Sequence, residues 1–233
     1  MKILVISAHP DDEVLGCGAT MAKYIKEDHE VEILIIGDGI TARYEESELN
    51  NPEVIEKVEK INKDAIKAAL ILGVKNVEIK GLNCGRFDTY PFLDIVNIIR
   101  KKVRQFMPDI VFTQYFGDYN PDHRIVYDAT LFACRPNIGE FYPKEIYCYE
   151  VLSSTERAFQ SPHFIFCPNV FMDVKETISD KLNAMSSYTS EINPYPHPRS
   201  LEAIEILAKK RGNEVGLEFA EAFLLIRSIK NGK

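Results

Sequence analysis

This 233-residue chain lacks what several classes of protein require. It has no basic block. Its 28 Lys and Arg stand against 35 Asp and Glu, a formal net charge of −7, and the Lys57–Lys67 run alternates with Glu as a solvated helix face does. A nucleic acid would find no concentrated positive surface, so none is expected as a partner. It has no C-x-x-C pair, and its cysteines, Cys17, Cys84, Cys134, Cys148 and Cys167, are odd in number. That argues against a disulfide framework and for a reducing, cytoplasmic setting. The N-terminal apolar run is only Ile3–Ala8, too short for a signal-peptide core or a membrane span. Internal repeats, low-complexity tracts and linkers are also missing. What is present is a 45% hydrophobic content, enough for a real core, in a length that suits one α/β domain.

Ile3–Ala8 is continuous and rich in β-branched residues, the pattern of a strand buried on both faces, and Val31–Ile36 repeats it. Helical spacing over Val14–Lys26 joins the two into a βαβ unit with an expected right-handed crossover. Val54, Val58, Ile61, Ala65 and Leu72 form a helical stripe that Gly73 stops. Val77–Ile79 reads as a strand. Phe92, Val96, Ile99, Val103 and Phe106 form a second stripe, closed by Pro108, before an Ile110–Thr113 strand. Asn120-Pro121-Asp122 has the chemistry of a helix start: a capping side chain, proline at the first position, an acid in the first turn. Ile146–Val151 and Phe164–Val174 read as strands, Lys175–Ser187 and Ser200–Lys210 as helices, and Glu218–Arg227 fits either. Tyr188–Pro198 is a proline-rich loop. The alternation predicts a three-layer α/β/α sandwich on a mostly parallel, Rossmann-like sheet. It predicts one domain, 1–233, whose C-terminal segment, about 186–233, completes the substrate pocket.

His9, Asp11, Asp12 and Glu13 fall where the first strand ends, the edge at which parallel sheets bind ligands. His9 and Asp12 are three residues apart, so one helical turn can aim both at a common point. Imidazole and carboxylate suit a zinc-type site, which needs one more protein ligand and an open position. Asp11, between them, suits a general base for an activated water. A helix start alone explains Pro10 and the three acids but leaves His9 unexplained. A second cluster, Asp118, Asp122, His123 and Arg124, follows the Ile110–Thr113 strand, and His123 can complete a His9–Asp12–His123 triad.

The stretch AHPDDEVLGCGAT closely resembles the N-terminal signature of the LmbE/PIG-L family of zinc-dependent N-deacetylases. GDGITARY, NPDHR, HPRSLEAIEILAKKRGNEVG and AEAF extend the resemblance over nearly the whole chain, toward the bacterial amino-sugar deacetylase branch. The resemblance implies zinc held by His9, Asp12 and His123, Asp11 as general base, Arg43 reaching the substrate and Asp122 supporting the site. It implies an enzyme that removes an N-acetyl or related acyl group from an amino sugar or its glycoconjugate, releasing acetate and a free amine. A homo-oligomer is in keeping with the family. An Asp-containing triad also accepts iron(II), manganese or cobalt. Many relatives carry histidine where this chain has Asn120, which can donate a hydrogen bond to the oxyanion but cannot act as an acid at neutral pH. The general acid is thus open between Asp11 returning its proton and His197 in the late loop. Arg199 and Arg211 are expected to pair structurally under the C-terminal segment, and His29 and His163 to be ordinary residues.

Three other readings compete. Glycines after the first strand and Asp38 mimic a dinucleotide fold, but three acids occupy the turn where a pyrophosphate needs bare N–H groups and a positive field. Gly16 and Gly18 are better explained by close helix–sheet packing. A non-catalytic carbohydrate-binding protein that keeps the metal site is the alternative Asn120 encourages. Phosphoester hydrolysis on two metals needs more carboxylates than the clusters supply.

Overall fold

The computed structural model describes residues 1–159, 161–162 and 164–230; the reading of His163 lies outside the described residues. The elements run β1 (Lys2–Ser7), α1 (Asp12–Lys26), β2 (Glu30–Gly37), α2 (Pro52–Ile71), β3 (Asn76–Leu82), α3 (Phe92–Phe106), β4 (Ile110–Gln114), α4 (Pro121–Ala133), β5 (Glu145–Tyr149), β6 (Val170–Asp173), α5 (Ile178–Met185), α6 (Leu201–Asn213) and β7 (Ala220–Ser228).

The seven strands lie in the order β3-β2-β1-β4-β5-β7-β6. β1 to β5 pair in parallel, and β7 enters antiparallel between β5 and β6. The alternation of side chains along β1 explains the layers. Ile3 and Val5 face a core shared with Val14 and Met21 of α1, Ile61 of α2, Met185 of α5 and Ile204 of α6. Leu4 and Ile6 face the opposite core, with Ile95, Ile99 and Val103 of α3 and Val126 of α4. A strand covered on both sides has no room for polar residues, hence its unbroken apolar run. The strand order reverses between β1 and β4, so their carboxyl ends open a crevice between them.

Two elements differ from expectation, and a third settles an open choice. Strand β6 covers only Val170–Asp173, and Phe164 and Ile165 ahead of it are exposed; Pro168 cannot donate to a ladder, which fits so late a start. Helix α5 begins at Ile178 because 175–177 form a turn that returns the Thr177 N–H to the Val174 carbonyl. The ambiguous 218–227 stretch is a strand, because β5 and β6 both pair with it.

Helix α1 has a kink at Cys17 (φ −147°), just past Gly16. A Cβ at Gly16 would run into the Tyr149 ring, so glycine lets α1 lie against β5. Beyond the kink, the Ala19 and Thr20 N–H groups donate to the Glu221 carboxylate of β7 at 3.1 and 2.7 Å. Lys181 Nζ closes that buried group, 2.6 Å from Glu221 Oε1 and 2.8 Å from the Leu15 carbonyl.

Candidate metal centre and active site

The chain passes from β1 into α1 through a four-residue turn, 8–11, and Asp11 takes up the sharpest part of it at φ +100°. Positive φ is costly for a residue with a side chain and is found where the surroundings impose it. Here Glu13 imposes it: its Oε2 accepts the Asp11 N–H at 3.1 Å, and its Oε1 accepts the Tyr188 hydroxyl. Burial pushes the Glu13 carboxyl up to about 8. The third acid of the motif therefore braces the turn rather than facing the triad.

The turn brings three donor atoms together. Asp12 Oδ2 lies 3.3 Å from His9 Nδ1 and 3.2 Å from His123 Nε2, and the two ring nitrogens are 3.3 Å apart. Neighbouring ligands of a tetrahedral zinc, with bonds of about 2.1 Å, are separated by about 3.4 Å, so the triangle fits one ion. Asp12 is fully buried, and its Oδ1 has no hydrogen-bond partner among the described residues. A buried carboxylate with an unsatisfied oxygen, flanked by two imidazoles, is a donor set suited to a cation. Gln114, the last residue of β4, also donates to Asp12 Oδ2 at 3.3 Å.

Each imidazole turns its other nitrogen toward a carboxylate. His9 Nε2 is 2.9 Å from Asp122 Oδ2, and Asp122 is pinned by the Gly85 and Phe87 N–H groups at 2.6 and 3.3 Å. His123 Nδ1 is 3.2 Å from Asp118 Oδ1, and Asp118 is held by the Ser154 hydroxyl and, at 2.6 Å, by Thr155 Oγ1. Carboxylates behind ligating histidines fix ring orientation and raise basicity. Burial opposes a charged His123, but the Asp12 and Asp118 carboxylates outweigh it and hold its pKa at about 9. Burial likewise raises Asp12, and the two imidazoles reverse that and hold its carboxyl well below the usual range.

Beside the triad lies a cleft of about 170 Å³, walled by His9, Asp11, Arg43, Asn120, Glu191 and Arg199 among others. Arg43 sits in a short turn after β2 and donates through Nη2 to Glu191 at 2.7 and 2.9 Å. Glu191 also accepts from Arg199 Nη1 at 2.9 Å, and the same Nη1 lies 2.9 Å from Asp11 Oδ2. Burial raises the Asp11 carboxyl to about 7 although Arg199 pulls the other way. Asn120 uses Oδ1 to cap α4, accepting the Asp122 N–H at 2.9 Å; what it has left for the cleft is its amide nitrogen.

His9, Asp11, Asp12, Asn120, Asp122 and His123 thus converge, with Arg43 at the cleft mouth. His197 is not among the residues lining the cleft; half-buried in its loop, it accepts the Arg199 N–H at Nδ1 over 3.1 Å. Arg199 departs from the structural pairing expected of it, because the loop folds back and sets it against Asp11. Arg211 pairs structurally, donating to both Glu150 oxygens at 2.7 Å. His29 contacts the chain's amino group at 3.3 Å, away from the site. Sequence reasoning missed Glu191, Gln114 and the individual role of Asp118. Asp118 had a local signal in its cluster with His123; Glu191 had only its place within the proline-rich loop.

Known proteins resemble this chain in sequence and in fold. Residues 4–134 fit the family model PIG-L, described as GlcNAc-PI de-N-acetylase. The uncharacterized deacetylase YaiS of Escherichia coli K12 is 29% identical over 203 residues, 81% of this chain and 90% of that protein. The diacetylchitobiose deacetylase of Thermococcus kodakarensis is 28% identical over 204 residues, 82% of this chain and 70% of that one. In three dimensions, the 4-carboxy-2-hydroxymuconate hydratase GalB of Pseudomonas putida KT2440 superposes with a TM-score of 0.76 at 18% identity, over 100% of this chain and 98% of that one. That likeness establishes a shared fold. With the match to the family model spanning more than half of its 233 residues, the chain belongs to the PIG-L family.

Proposed function

We propose that this protein is a metal-dependent N-deacetylase that removes an acetyl or related acyl group from an amino sugar or its glycoconjugate. The observation that carries the reading is the His9–Asp12–His123 triangle of donors 3.2–3.3 Å on edge, opening beside Asp11 into a cleft. In this reading His9, Asp12 and His123 hold a divalent ion, zinc by donor type, which supplies Lewis acidity and an acidified water. Asp11, with its carboxyl at about 7, takes a proton from the attacking water at the edge of the cleft. The Asn120 amide donates to the oxyanion that develops on the acyl carbon. Asp11 returns its proton to the departing amine; His197 takes that part only if the loop around it swings inward from its observed position. Arg43 holds the sugar or its aglycone through hydroxyl, carboxylate or phosphate oxygens, and Asp122 keeps His9 in register. Water is added across the amide bond, and acetate and a free amine leave.

In this reading 1–233 acts as one domain, with the loop after Tyr188 completing the pocket through Glu191 and Arg199. Among the described residues no helix is long and apolar enough to cross a membrane. The buried free thiols of Cys17, Cys84, Cys134 and Cys148 suit a cytoplasmic setting, and assembly into a homo-oligomer is part of the same proposal.

Asn120 favours a second reading, a carbohydrate-binding protein that retains the metal site, since its amide cannot serve as an acid. A screen of N-acetylated amino sugars, with nucleotide- and glycoside-linked forms, separates the two by following free-amine release after metal loading. Release abolished by chelator and by Asp11→Asn is expected. Saturable sugar binding without release supports the second reading. His197→Ala turning over like the wild type removes His197 from the chemistry.

A further inference from the structure

The loop that follows β3 pins Asp122 through Gly85 and Phe87, and its first buried side chain is a cysteine. Cys84 is 2% exposed, forms part of the cleft wall, and accepts the Gly39 N–H at Sγ over 2.8 Å. His9 turns Nδ1 toward Asp12 and His123, and on the opposite side of the ring Nε2 lies 2.9 Å from Asp122 Oδ2. His9, Cys84 and Asp122 therefore form a second group whose donor atoms all lie within 4.8 Å of one another.

We propose that His9, Cys84 and Asp122 form a second metal site, selective for borderline-to-soft divalent cations such as zinc, cobalt or cadmium, that fills when metal exceeds one ion per chain and inhibits the enzyme. The proposal rests on the reading above in one respect: Nδ1 of His9 belongs to the first ion. A thiolate beside an imidazole and a carboxylate is a donor set that zinc-like ions prefer over magnesium or calcium. Sulfur and nitrogen ligands of one zinc sit about 3.5 Å apart, so a group within 4.8 Å has to contract by about 1.3 Å at most. Rotation of the Cys84 side chain supplies such a movement without moving the backbone. The cleft gives access, because Cys84 and His9 share its wall.

The proton balance is simple. Binding releases the thiol proton and the proton between His9 Nε2 and Asp122, and the ring then bridges two ions as an imidazolate; nothing is oxidised or reduced. Inhibition follows from geometry. The second ion lies at the cleft wall that His9 and Cys84 share, so it adds bulk and positive charge where the substrate's acyl group has to sit.

The test uses the full chain, stripped with chelator and titrated with cobalt(II). Expected are d–d bands at the first equivalent, a near-ultraviolet thiolate-to-cobalt charge-transfer band only at the second, and a final stoichiometry of two ions per chain. Cys84→Ser and Cys84→Ala should each bind one ion and show no charge-transfer band. In zinc, the ratio of turnover at one equivalent to turnover in excess should fall to unity in whichever of these variants folds, and exceed it in the wild type. A wild type that binds one ion, or shows no charge-transfer band in excess cobalt, overturns the proposal without reference to any variant. So does a band complete at the first equivalent, or one that persists without Cys84. If the deacetylase reading fails, turnover vanishes, yet the cobalt spectrum and stoichiometry still decide the second site.

Discussion

Lys181→Met tests whether the site depends on a support far behind it. Lys181 and Glu221 are each 4% exposed, and their ion pair, 2.6 Å from Nζ to Oε1, sits under the kink of α1, the helix whose first turn carries Asp12. Methionine keeps most of the alkyl volume, so no large cavity opens; what goes is the charge and two hydrogen bonds, to Glu221 and to the Leu15 carbonyl. Removing one partner of a buried pair costs about 3–5 kcal/mol, because the other charge is stranded. Glu221 keeps the Ala19 and Thr20 N–H groups, which places the expected loss at the lower end. Against a total stability of about 5–15 kcal/mol that is a large fraction, and for a chain of this size it lowers Tm by about 6–12 °C. Urea titration and thermal scans of the metal-free chain measure it. The double variant Lys181→Met/Glu221→Gln should lie closer to wild type than Lys181→Met alone, since the stranded charge is then gone. A loss under about 1 kcal/mol for Lys181→Met, which is the range of an exposed pair, or a double variant worse than the sum of its parts, refutes the reasoning.

The remaining expectations concern the cleft. His123→Ala should leave too few donors to retain an ion, so the metal-to-protein ratio after desalting drops from about one toward zero. Metal loading of the wild type should release protons, since at pH 7 His123, held at about 9 in the metal-free site, must give one up; calorimetry in buffers of different ionisation enthalpy counts them, and affinity should rise with pH up to about 9. Asp11 is a base only when ionised, so kcat/KM should fall as pH drops through about 7. Arg199→Met removes the charge that lowers that pKa and should move this limb to higher pH, with about fivefold less activity at pH 7 for the first unit moved and about tenfold for each further unit. Glu191→Gln frees Arg199 for Asp11 and should move it the other way; a pH-independent loss in both variants contradicts this. Asn120→Ala should cost about 1 kcal/mol through the lost α4 cap, seen in urea denaturation, apart from any effect on turnover.

What could be read from the chain beforehand was what depends on neighbours in sequence. β1 and β2 declared themselves because a strand covered on both faces admits only apolar residues. His9, Asp12, Asn120 and His123 declared themselves because each sits in the segment that leads from a strand end into the next helix, where local spacing decides which side chains share an edge. β7 could not be assigned from its own residues: Ala220–Ser228 carries a pattern that suits helix or strand, and pairing with β5 on one side and β6 on the other decides between them. The same holds for Glu191, whose partner Arg43 is 148 residues away. A glutamate in a proline-rich loop reads as solvated. It becomes a buried bridge between two guanidiniums only because the loop returns over β1, and nothing in its immediate sequence reports that return. Arg199 was misjudged for the same reason, its contact with Asp11 being created by the fold. The residues that hold a reaction centre can thus be local and legible, while those that set its charge are delivered from distant parts of the chain. Asn120 belongs to both sets: its oxygen serves the helix start its neighbours announce, and its nitrogen faces a cleft whose other wall comes from the loop after Tyr188.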